Sequence, residues 1–143
     1  MGRVRNFLAW PFAEKWLFSK AVVLVAFVRV ALWTLRYNRT KRLLERFHRQ
    51  PPRRPDTERL PAQRIARLVE LASRFVPGGG HCLTRAMAAS LLLHRRGYDV
   101  KISLGVKKDE NDEVLAHAWV RHEGAVLIGD QPDLESYSAF ESR

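Results

Sequence analysis

At 143 residues with 46% apolar side chains, the chain has the size and composition of one folded domain, and extended disorder is excluded. Its net charge of +10 is unevenly spread: residues 1–80 hold 17 Lys and Arg against 5 acids, whereas residues 81–143 hold 8 against 10. One cysteine, Cys82, excludes an intramolecular disulfide, and with no export signal in view the expected setting is a reducing cytosol. No Cys-x-x-Cys or His-x-x-x-His pairing occurs, so neither a metal nor another cofactor is expected.

Residues 1–47 read as an apolar and basic helical segment. From Trp16 to Leu35 the apolar run has the length of a membrane span, but Lys20 and Arg29 lie inside it. Each would cost about 2.5–3.5 kcal/mol near a bilayer centre. Lys15, Val22, Arg29 and Arg36 recur every seven residues, which places three cations on one helical stripe. The pattern predicts a helix buried on most sides against the domain, its basic stripe in water or against the inner surface of a membrane.

Residues 48–61 contain four prolines and no apolar period, and read as a linker. The core of the domain is expected over 62–143. Ile65, Leu68, Val69, Ala72 and Phe75 recur at helical spacing with Arg64, Arg67 and Arg74 turned outward, until Pro77 and the glycines 78–80 stop the helix. The next helix is expected from Cys82 to Arg96, apolar nearly all round, with Gly97 as its C-terminal cap. The period then changes to two, with Val100, Ile102, Leu104 and Val106 on one face and Lys101, Ser103 and Gly105 on the other, the pattern of a half-buried strand whose second face meets solvent. A polar loop over 107–113 leads to strands at 114–121 and 125–128. The fold class is thus α+β, a helix packed on a small antiparallel sheet.

Three residues in this frame carry chemistry. Cys82 stands at a helix start, where free N–H groups and the helix dipole favour a thiolate and can hold an oxyanion. If Glu123-Gly124 is a two-residue hairpin loop, His122 pairs with Ala125, Trp119 with Ile128, and His117 falls opposite Asp130. Opposed side chains stand about 4.5–5.5 Å apart at Cβ, within reach of an imidazole–carboxylate contact. Val114, Ala116, Ala118 and Val120 then form an apolar face that can pack on the Cys82 helix or on the layer behind it. Taken without these partners, Cys82 reads as a small core residue, His117 as a half-buried strand histidine and Asp130 as a turn residue. His81 adjoins the nucleophile as a neighbour, and His48, His94 and His122 read as structural or solvated.

The stretches Cys82-Leu83-Thr84-Arg85-Ala86-Met87-Ala88, Arg95-Arg96-Gly97, Ile102-Ser103-Leu104-Gly105-Val106, Ala116-His117-Ala118-Trp119-Val120 and Gly129-Asp130-Gln131-Pro132 resemble the transglutaminase-like leader peptidases of lasso-peptide biosynthesis. The resemblance is strongest over 76–134. It implies a papain/transglutaminase-type core and a cysteine peptidase in which Cys82 is the nucleophile, His117 the general base and Asp130 its orienter. The substrate would be the leader of a ribosomally made precursor, and a separate cyclase would close the ring. Because residues 1–60 read as helical and basic and not as a leader-binding module, a separately encoded leader-binding protein is the expected partner. Two other readings stand beside this one: transamidation by the same nucleophile with an amine as acceptor, and a non-catalytic basic module binding nucleic acid or a membrane. No helix-turn-helix signature or aromatic-interleaved basic motif supports nucleic acid.

Overall fold

In a computed structural model of the chain, which describes residues 9–46, 60–77 and 81–141, the first helix, α1, runs over Phe12–Thr34. Pro11, at φ −55°, is preset for a helix start, and its carbonyl accepts from the Glu14 and Lys15 N–H groups. Leu17, Ala21, Val25, Val28 and Ala31 recur at spacings of three and four and form the buried face of α1. That face packs on α3 (Ala62–Ser73) and α4 (Cys82–Arg95). Full burial of a Leu or Val contributes about 1.5–3 kcal/mol, enough to override the weak helix propensity of the valines. The opposite face of α1 is exposed, with Phe12 at 83% and Trp33 at 81% of full accessibility. The expectation of a helix buried on most sides is therefore corrected to one buried face. A short helix, α2 (Tyr37–Arg46), turns back beside α1, where the fully buried Thr40 donates to the Ala31 carbonyl at 3.2 Å.

The stretch 48–61, expected as a linker, lies outside the described residues except for Leu60 and Pro61, and so does the turn at 78–80. The Leu60 carbonyl accepts from the Tyr98 hydroxyl at 2.6 Å, which ties the entry of α3 to the segment after α4. Arg64 on α3 grips Glu14 on α1 with two hydrogen bonds, 3.2 Å from Nε and 2.8 Å from Nη2. Phe75, expected on the buried face of α3, lies past its end and is 68% exposed, its ring edge-on to Phe18.

The sheet is antiparallel in the order β3-β2-β1-β4, built from β1 (Lys101–Lys108), β2 (Val114–His122), β3 (Ala125–Ile128) and β4 (Ser138–Glu141). Helices plus this sheet make the α+β class expected. Two expectations about its faces are corrected. Ser103 and Gly105 do not face solvent: Ser103 is buried, and a Cβ at Gly105 would stand 2.7 Å from the Trp119 ring. The segment from Leu134 to Tyr137, which carries the turn Leu134–Ser136, lies over this face and makes it a second buried layer. On the helix side, Ala118 and Val120 join the core shared with α4, but Val114 is 66% exposed and Ala116 is also exposed, because β2 runs beyond the helix.

Candidate active site

The hairpin between β2 and β3 sets the site. Glu123 (φ 49°) and Gly124 (φ 82°) both occupy the left-handed region, as a two-residue primed turn requires, and His122 pairs with Ala125 as expected. One step further the register departs from expectation. Arg121 pairs with Val126, but Val120 pairs with Ile128, so Leu127 bulges out of the ladder and Trp119 does not face Ile128. Continued past the bulge, this register would set Asp130 against Ala118, not His117. The chain does not continue: at Gly129 φ is +81°, and a Cβ there would stand 2.6 Å from the Ala118 carbonyl oxygen. Glycine alone lets the backbone turn this close to β2.

That turn gives His117 its hydrogen-bond partner. His117 Nε2 lies 2.7 Å from the Gly129 carbonyl oxygen, and because a carbonyl only accepts, Nε2 carries the proton. In the neutral ring Nδ1 is then the basic nitrogen. The ring is buried, 6% accessible, stacked near Trp119 at 6.0 Å between centroids and flanked by Tyr137 at 5.6 Å. Asp130, expected as the direct partner of the imidazole, is exposed and follows the residue whose carbonyl fills that role.

His117 and Asp130 nonetheless share a cavity of about 360 Å³, whose other walls include Arg67 and Glu70 of α3, Arg85 of α4 and Leu127 of the bulge. Cys82 is the first residue of α4, half-buried against the apolar core, and does not line the cavity. It precedes Arg85 by three positions on the same helix face, a Cβ separation of about 5–6 Å. His81 gives α4 no side-chain cap, which leaves the first N–H groups of the helix for another acceptor. The structure thus brings His117 and Asp130 together and sets Cys82 one helical turn from their cavity. Arg85 was not singled out in the sequence, where it reads as one more helix cation. Its Nε is buried without a hydrogen-bond partner, an arrangement visible only once the helix is docked.

The segment after Asp130 is fastened from the far side. Lys107 on β1 pairs with Asp133 and lies over the Tyr137 ring at 4.7 Å. The hydrogen bond from Lys107 holds the Asp133 carboxyl below the usual carboxylate range, with smaller contributions from the lysine charge and from His117. The same hydrogen bond raises Lys107 above the ordinary lysine value. No group of three or more His, Cys, Asp or Glu suited to a metal ion occurs among the described residues.

Compared with known proteins, residues 21–142 match the model of one family, described as the transglutaminase-like superfamily. No curated protein and no solved structure matches the chain.

Proposed function

The chain belongs to the transglutaminase-like superfamily, whose members are generally cysteine peptidases or acyl transferases, and from that premise we propose that it is a cysteine peptidase that removes the leader from a lasso-peptide precursor. The observation that carries this reading is the hydrogen bond from His117 Nε2–H to the Gly129 carbonyl, which leaves Nδ1 to act as base. In the proposed mechanism Nδ1 takes the Cys82 thiol proton and the thiolate attacks the scissile carbonyl. The N–H groups at the start of α4 receive the oxyanion. The His117 proton passes to the departing amine, a thioester forms on Sγ, and water with His117 as base releases the leader as a carboxylate. Asp130, at the cavity wall, stabilises the imidazolium by its charge, and Gly129 fixes the tautomer. A separately encoded leader-binding protein delivers the precursor, and a cyclase takes the released core.

The test is mass spectrometry of a candidate precursor incubated with the wild type and with Cys82→Ala. Hydrolysis yields a leader fragment carrying the elements of water, transamidation yields one carrying the acceptor amine, and the variant should yield neither. Cleavage by Cys82→Ala at the wild-type rate would falsify the proposal.

A further inference from the structure

Six large apolar residues of α1, Phe12, Trp16, Val23, Phe27, Val30 and Trp33, are exposed, from 43% at Phe27 to 83% at Phe12. At about 100° per residue they fall within a third of the helix circumference, opposite the face that packs on α3 and α4. A stripe along a 23-residue helix extends about 34 Å. Single exposed apolar side chains are ordinary, but a stripe of this length, in which the small Ser19 is the polar residue between Trp16 and Val23, marks a contact surface.

The charges around the stripe identify what it contacts. Glu14 is the only acid on α1, and Arg64 holds it on the packed side of the helix. Cations border the stripe: Lys20, whose ammonium lies 5.2 Å from the Trp16 ring centroid, Arg29, and Arg95 at the end of α4. Lys20 and Arg95 also stand at a groove between α1 and α4 whose apolar walls include Phe27, Leu91 and Leu92, with a volume of about 490 Å³. Tryptophan toward both ends, Phe27 between two valines in the middle and cations at the margins suit the headgroup boundary of an anionic bilayer, where tryptophan and lysine place their apolar parts among acyl chains. A spanning orientation conflicts with the packing of Leu17, Ala21, Val25 and Val28, each fully buried against the domain.

We propose that this face of α1 is a membrane-docking surface that lies in the plane of an anionic phospholipid bilayer, with the α1–α4 groove open to an acyl chain and Lys20 and Arg95 at the phosphates. The proposal stands apart from the peptidase reading and needs no activity to test. The full chain is mixed with vesicles of phosphatidylcholine alone or doped with phosphatidylserine, and binding is followed by co-sedimentation and tryptophan emission. Binding at least about tenfold stronger to the doped vesicles is expected, weakening with salt and released by a carbonate wash. Trp33→Ser and Phe27→Ser should each weaken it about fivefold or more, and Lys20→Glu by about tenfold, with unchanged circular dichroism because all three side chains are exposed. Failure of the folded wild type to bind, equal binding to both vesicle types, variants that bind as the wild type does, or retention after the carbonate wash would each overturn the proposal. So would a dimer dissolved by Phe27→Ser in a chain that ignores vesicles, which would assign the face to a second copy.

Discussion

His117 and Gly129 are joined by a 2.7 Å hydrogen bond from imidazole Nε2–H to carbonyl oxygen, made across a bulged hairpin by a residue in the left-handed region. A single backbone turn thus selects the tautomer of the only buried histidine among the described residues. Gly129→Ala forces a side chain into that region and against the Ala118 carbonyl. We expect a loss of about 2 kcal/mol or more in denaturant unfolding. In ¹⁵N spectra the wild-type imidazole should show Nε2–H with Nδ1 unprotonated at high pH, and the variant a mixture. A variant as stable as the wild type with the same tautomer would show that the turn is not selective.

Because the Gly129 carbonyl already orients the ring, little is left for Asp130 except to favour the imidazolium. His117→Ala should therefore lower the cleavage rate by about a thousandfold, in the range expected for a lost general base, and Asp130→Asn by only about tenfold. Single-turnover cleavage of the precursor measures both. Equal losses would mean that the carboxylate takes over the hydrogen bond during the reaction.

The Lys107–Asp133 pair should leave a mark on the pH dependence of stability. Asp133 is held below its unfolded value, so its contribution is present above the ordinary carboxylate pKa of about 4 and is lost as pH falls through the lower folded value. Lys107 is raised, so its contribution is present below about 10.4 and is lost as pH rises through the higher folded value. Between these limits the pair adds no slope. Asp133→Asn should remove the pair's share of both limbs of the melting-temperature profile, and the effect should shrink in high salt because Asp133 is half-exposed. An unchanged acid limb in the variant would place the titrating group elsewhere.

The periodic parts of the fold were legible in the sequence, and the irregular parts were not. The helix beginning at Cys82, the strand pairing through His122 and Ala125, and the apolar face of α3 follow from spacing and turn chemistry, because side-chain periods of 3.6 and 2 are written residue by residue. The bulge at Leu127 is not written that way. It exchanges one ladder pair for a backbone bend whose benefit, the approach of Gly129 to β2, exists only in three dimensions. Ser103 and Gly105 read as a solvent face because polar and small residues usually are one, but here the polar row makes room for Trp119 and Tyr137. The four-residue β4 carries too little pattern to distinguish it from a loop.

Arg85 is the residue whose cost in the folded chain most calls for a compensating role. Its Nε is buried without a hydrogen bond, it lines the cavity that holds His117 and Asp130, and it stands one turn from Cys82. A buried donor left unsatisfied costs about 1–3 kcal/mol, and a guanidinium kept in such a place is repaid when an acceptor arrives. The acceptors of an extended peptide are its carbonyl oxygens and acidic side chains, which a planar guanidinium can grip with two parallel bonds. Arg85→Met keeps the length of the side chain and removes the unpaired donor, so it should leave the melting temperature unchanged or raise it. The same variant should bind the precursor about tenfold or more weakly, measured by titration calorimetry in the Cys82→Ala background, where no turnover intervenes. Arg85→Lys should restore little of this affinity, since an ammonium cannot reproduce the paired geometry. A lower melting temperature with undiminished precursor binding would instead make Arg85 a structural residue, and the cavity's recognition of peptide would then have to come from Arg67 and Gln63.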